Sequence, residues 1–224
     1  MKRISCFLLF FLLLSHVVVA DVETEAEKIL KKSVGKVFTA MLDKEMTLDQ
    51  KKSKVIKITN KVFGFSLMAK LSIGKAHWSK FNAKQRAEFT TFFTEQFQSF
   101  YIDKLDLFSD EKVIFKPATV VKKRKVQVPT VLLSKGKEYS ILYKMSNTRA
   151  GWKIYDIAIE GVSLVHTYRS QYNHILKSGK IEDLLVKMRE KNKENKFCSR
   201  RNFIKLKRGL ISCSRVFLSK IRKS

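Results

Sequence analysis

Glycine and proline are scarce in this sequence, at 8 and 2 of 224 residues. That excludes a collagen-like or low-complexity chain, and 45% hydrophobic with 11% aromatic residues excludes broad disorder. Cysteine is equally sparse. Only Cys198 and Cys213 follow the first twenty residues, and they suit one bridge in an oxidising compartment or two free thiols. His77, His166 and His174 show no short metal-ligand spacing, so no metal is expected. The sequence has no glycine-rich phosphate loop, no G-x-G-x-x-G and no paired-carboxylate signature, so no cofactor is expected. Beyond residue 20, no apolar run reaches the length of about 18 residues that a membrane-spanning helix needs.

Acidic residues are the other shortage: 20 against 46 Lys and Arg, for a net charge of +26. An anionic partner follows as a first guess, either nucleic acid or a membrane surface. By segment the net charge is +2 over residues 1–20, +13 over 21–190 and +11 over 191–224. Lys2 and Arg3, the Leu/Phe run from Phe7 to Leu14, and Val18-Val19-Ala20 have the form of a cleaved export signal. An uncleaved anchor is the rival, opposed by Ser15 and His16 inside the apolar stretch. Export argues against nucleic acid.

The chain from Asp21 changes period twice. Val22, Ala26, Ile29, Val34, Val37, Phe38 and Met41 recur at helical spacing, and Thr47-Leu48-Asp49-Gln50 has capping-box form before Val55, Ile58 and Val62. A helix is also expected from Phe65 toward Gly74. Asn82-Ala83-Lys84-Gln85 repeats the start signal before Phe89, Phe92, Phe93, Phe97, Phe100 and Tyr101, a stripe so broad that it requires a large partner face. The period then falls to two. Residues 112–121, 124–133, 137–146 and 151–160 read as four strands with short connections, hence an antiparallel sheet. Helical spacing returns with Val162, Val165, Tyr168, Tyr172, Ile175 and Leu176, and again with Ile181, Leu184, Leu185 and Met188. The fold class is α+β, a single domain over 21–190. A charged linker is expected from Lys191.

Chemistry-bearing residues are few. Gly161-Val162-Ser163-Leu164-Val165 resembles a hydrolase elbow but lacks its second glycine, so Ser163 reads as a helix N-cap. His166 and His174 stand about 80° apart on a helix and do not converge. Asp156 and Arg169 are expected to meet as a structural ion pair or in a polar pocket. The abundant material is apolar, with Phe used 17 times, as ordinary core or as the lining of a ligand cavity.

Trp78, Gln85-Arg86, Phe89 and Phe93, then Trp152-Lys153-Ile154-Tyr155-Asp156-Ile157, then Gly161 to Val165 with Tyr168-Arg169 and Gln171-Tyr172, together resemble the MlaC / toluene-tolerance family. The resemblance covers about residues 22–190, with Thr167 and Tyr172 standing where Asn and Phe are usual. It implies an NTF2-like fold, a curved four-stranded antiparallel sheet packed with helices around an apolar cavity for phospholipid acyl chains. It also implies a monomeric periplasmic carrier that shuttles lipid between an outer-membrane lipoprotein complex and an inner-membrane ABC transporter with an MCE-type subunit. No catalytic residues come with it.

The expected lining combines the apolar positions with the inward faces of the period analysis: Phe89, Phe93 and Phe97 on a helix, Val126, Val128, Ile141, Tyr143, Ile157 and Ile159 on strands, and Val162 and Val165 at the start of the next helix. The headgroup is expected at a wet, basic mouth. In the tail, Phe203, Leu206, Leu210, Cys213, Phe217 and Ile221 recur among Lys and Arg, which fits a basic interfacial helix in transient contact with a membrane surface or a disordered extension. The alternative function is an NTF2-like enzyme using Asp156, Tyr155 or His166 on a hydrophobic substrate. A nucleic-acid module rests on charge alone.

Overall fold

Helix starts are where local chemistry is strongest. In the computed structural model, residues 24–102, 105 and 111–206 are described, with side chains through residue 195. The expected export signal, the Cys198–Cys213 bridge and most of the expected tail helix lie outside this range. Thr24 caps α1 (Glu25–Leu42), and Thr47 with Gln50 forms the expected capping box on α2 (Leu48–Val62). Gly74, with φ 76°, breaks the chain between α3 (Phe65–Ile73) and the single turn α4 (Lys75–Trp78), a left-handed conformation open to glycine. Asn82 and Gln85 cap α5 (Ala83–Ile102) reciprocally: each backbone N–H donates to the other's side-chain oxygen, at 2.8 and 2.9 Å.

Among the described residues six strands follow rather than four. The expected first strand is cut into β1 (Lys112–Phe115) and β2 (Thr119–Lys122), both antiparallel to the same edge of β3 (Lys125–Ser134). Pro117 accounts for the cut, since it has no N–H to continue a ladder. β4 (Lys137–Thr148), β5 (Gly151–Ile159) and the two-residue β6 (Val162–Ser163) complete the antiparallel order β1-β3-β4-β5-β6. Lys135-Gly136 and Glu160-Gly161 turn β3 into β4 and β5 into β6 with positive φ at both residues, as tight hairpins require. β5 is bulged: Lys144 pairs with Asp156 but Met145 with Ile154, leaving Tyr155 extra and curving the sheet. Where β6 does not reach, Gly64 N–H donates to Ile154 O at 2.9 Å and covers the edge of β5. A Cβ on Gly64 would stand 3.1 Å from that of Lys153, so the approach favours glycine.

The aromatic stripe of α5 finds the partner it needs. Phe89, Phe93 and Phe97 are fully buried in a column of rings spaced 6.0–6.4 Å, continued by Phe81 beyond Phe89 and by Tyr101 beyond Phe97. Tyr168 and Tyr172 of α6 (Leu164–Ser178) meet Phe93 and Phe89 edge-on at 5.3 Å, the offset geometry that ring quadrupoles favour. Tyr172 donates to Gln96, which itself donates to the Met188 carbonyl of α7 (Ile181–Leu206). Burial pushes the phenols of Tyr168 and Tyr101 up to about 12 and that of Tyr172 well above 10.

The start of α6 is tied to the sheet by Asp156, 5% exposed. Its Oδ2 accepts from Lys144 Nζ at 2.9 Å and Ser163 Oγ at 2.7 Å, and its Oδ1 from the Val165 backbone N–H at 3.1 Å. Ser163 is the N-cap of α6, as expected. The expected meeting of Asp156 with Arg169 does not occur. Arg169 Nε donates to the Leu71 carbonyl at 2.9 Å, supplying a cation to the open C-terminal end of α3. α7 also runs through Lys191, where a linker was expected. Asn192 is buried and its amide donates to the Phe92 carbonyl and Glu95 on α5, so helix packing extends past the charge boundary.

Asp156→Ala strands the Val165 N–H and unpairs Lys144, and should lower unfolding free energy by about 2–4 kcal/mol in chemical denaturation. A loss under about 1 kcal/mol would remove this carboxylate from the fold's supports. Alkaline stability follows from the buried phenols. An unfolded tyrosine ionises near 10 while Tyr101 and Tyr168 hold their protons to about 12. Their contribution is therefore complete below pH 10 and is lost as pH rises toward 12. Urea midpoints across that window should fall steadily, and a flat profile would contradict the assignment.

Candidate functional site

Residues paired directly across antiparallel strands share a face, and the register places every expected strand position of the lining on the same one. One row is Val126, Met145 and Ile154, and the next is Val128, Tyr143 and Ile157. The third crosses five strands as Phe115, Thr130, Ile141, Ile159 and Val162. A fourth, Val113, Leu132 and Tyr139, ends at the β3–β4 turn.

Burial falls along these rows. Val126, Met145, Ile154 and Val128 are sealed against the helices, with Phe89, Phe93, Phe97, Ile157 and Val165 in one contiguous cluster. Ile141, Tyr143, Ile159 and Phe115 pack on that cluster but stay half-exposed. Tyr139 is 37% exposed and Val162, at the edge of the third row, 53%. The face is therefore closed at the end carrying the β4–β5 turn and open at the end carrying the β3–β4 turn. The half-buried rows make a partly accessible apolar face beside the packed core, the candidate recess.

Tyr143 marks the recess. Part of its surface remains accessible, yet burial pushes its phenol up to about 12. Among the described residues its hydroxyl has no hydrogen-bond partner, and neither has that of Tyr168.

Among the described residues the open end is not basic, contrary to the expectation for the mouth. Glu111, Glu138 and Glu160 stand among Lys112, Lys135 and Lys137 there. Lys31, paired with Glu27, lies over the Phe115 ring at 5.5 Å.

The residues of the enzyme alternative do not converge. Asp156 is on the opposite face of the sheet, in register with Lys144, and both its oxygens are engaged. Tyr155, raised chiefly by burial, occupies the bulge under Lys125, and His166 is exposed. A surface cleft between α6 and α7, lined by His174, Ile175, Asp183 and Lys187, shares no residue with the recess. Among the described residues no group of three or more His, Cys, Asp and Glu is placed to hold a metal, and no helix is long and apolar enough to cross a membrane.

Sequence periodicity missed part of this face. Ile154 is hidden by the bulge, because two residues instead of one separate it from Ile157. Phe115 and Thr130 join the third row only through pairing. Met145, in the first row, lies outside the expected lining.

Comparison with known proteins places this geometry. A search of curated proteins finds no match. A phospholipid-binding protein from Ralstonia solanacearum, solved in complex with a phospholipid, superposes with a TM-score of 0.69 at 23% identity, over 77% of this chain and 99% of that one. The fold is thus shared with a protein of known architecture. The family model described as MlaC protein matches residues 31–190, from within α1 to within α7, and the chain belongs to the MlaC family.

Proposed function

We propose that this chain is a periplasmic phospholipid carrier that holds acyl chains in the recess and passes lipid between an outer-membrane lipoprotein complex and an inner-membrane ABC transporter with an MCE-type subunit. The observation that carries this reading is the third row: Phe115, Ile141, Ile159 and Val162, from four strands, keep apolar surface accessible beside a fully packed core, with buried Thr130 between them. A phospholipid in the related Ralstonia protein, together with membership of the MlaC family, supports it.

The chemistry is that of solvent replacement. Each acyl methylene taken out of water is worth about 0.8 kcal/mol, and a wall of Ile, Val, Phe and Tyr supplies that environment without hydrogen-bonding demands. Such a wall separates chain from water but not one chain from another. The headgroup stays at the charge-mixed open end, and the Tyr143 hydroxyl offers the wall one polar group. No step requires bond cleavage. On this reading Asp156 is structural, and Asp156→Asn protein that folds should exchange lipid without converting it.

Denaturing extraction of the purified protein followed by mass spectrometry should yield stoichiometric phospholipid. Protein that is empty from cells and takes up none from liposomes would overturn the carrier reading. Ile141→Trp should fill the recess. We expect at least a five-fold fall in bound phospholipid with a thermal midpoint near that of the parent, because the ring enters open space. In a packed core the same change would cost about 1–3 kcal/mol by overcrowding. Unchanged loading would remove Ile141 from the lining.

A further inference from the structure

The positive charge that the recess mouth lacks is gathered at the other end of the sheet. No acidic residue occurs between Glu111 and Glu138, and the turn from β2 into β3 reads Lys122-Lys123-Arg124-Lys125. Arg124 is held by the neighbouring hairpin: its Nε donates to the Asn147 carbonyl at 3.1 Å, and Asn147 N–H donates to the Arg124 carbonyl at 3.0 Å. This fixes the turn beside Arg149 of the β4–β5 turn. Lys122 and Lys123 make no ion pair among the described residues, and every residue from Thr119 to Lys125 is exposed.

Two of those exposed residues are apolar. Val120 and Val121 are 60% and 47% exposed. Val121 is the extra residue of a bulge between Val120 and Lys122, and all four residues of β2 are exposed, so nothing covers this strand. Lysines alone on an edge strand would read as protection against strand addition. Bare valines beside them work against that purpose. Valines to enter the headgroup boundary, flanked by fixed cations to meet anionic phosphates, are the chemistry of an interfacial contact.

We propose that the β2–β3 hairpin docks the protein on an anionic lipid surface. The proposal rests on the carrier reading for its purpose. Because the recess opens at the opposite end of the strands, the hairpin holds the carrier near a membrane while leaving the recess mouth free for a protein partner. The C-terminal basic stretch adds attraction of its own, so the test compares full-length mature proteins that all retain it.

Vesicles of phosphatidylcholine with phosphatidylglycerol are sedimented with the parent, with Lys122→Gln/Lys123→Gln, with Val120→Ser/Val121→Ser, and with Lys36→Gln/Lys57→Gln. The last removes the same charge from exposed sites on α1 and α2. Each near-surface cation strengthens binding by about five-fold, so the hairpin lysine pair should weaken it on the order of ten- to thirty-fold at low salt. The helix pair should weaken it far less. The valine pair should lower binding several-fold and, unlike the lysine pair, keep much of its effect at high salt, where charge is screened. Equal losses for hairpin and helix lysines, or hairpin variants that bind like the parent, overturn the proposal. So does lipid exchange with membranes that falls in the hairpin variants while vesicle binding stands, since that assigns the hairpin to a protein partner. Phospholipid content, measured in the same preparations, reports on the carrier reading separately because it does not enter the vesicle comparison.

Discussion

The single buried cluster that joins the α5 ring column through α3 and α6 to one face of the sheet is the feature on which the rest of this structure depends. A curved sheet with an apolar inner face must cover it, at about 25 cal/mol for each Å² removed from water. Phe89, Phe93 and Phe97, with Tyr168 and Tyr172, share one buried cluster with Val126, Met145 and Ile154, so that end of the face is covered completely. They leave the row from Phe115 to Val162 partly exposed. The closed end gives the domain a rigid core, and the incomplete cover at the other end is what makes a recess. On the carrier reading, stability and binding thus come from two halves of one surface.

Asp156 shows how a buried ionisable group can serve packing alone. It joins β4, β5, the β6 turn and the first turn of α6 through three hydrogen bonds, one of them to a lysine. A carboxylate accepting from a backbone N–H at a helix start is well placed against the positive end of the helix dipole. This node sets where α6 begins and therefore where Tyr168 and Tyr172 meet α5. A carboxylate close to a serine and a strand-to-helix turn resembles catalytic equipment, but both of its oxygens are committed and the opposite sheet face faces the recess.

Much of the fold was legible because its signals are local. The Thr47 and Asn82 caps, the α5 stripe, the strand alternation and the Ser163 cap each depend on residues within one turn or hairpin. The division of the first strand follows from Pro117, visible in sequence but outweighed there by the alternating apolar residues around it. The continuation of α7 past Lys191 was not legible, because charge composition alone does not reveal that Asn192 docks on α5. Ile154 escaped because a bulge shifts the period by one residue, and the Asp156–Arg169 pairing failed because sequence distance says nothing about which helix end lacks a partner for its carbonyls.

By itself the sequence determined the α+β class, the order of elements, the family, and which face of each strand is apolar, since all of these follow from period, capping chemistry and motif. Only the tertiary structure decided how far that face is covered, that the basic excess lies away from the recess mouth, and which buried polar groups are already satisfied. The physical reason is range. Periodicity reports a residue's direction relative to its own strand or helix, whereas cover, charge separation and hydrogen-bond satisfaction depend on segments brought together from scores of residues apart.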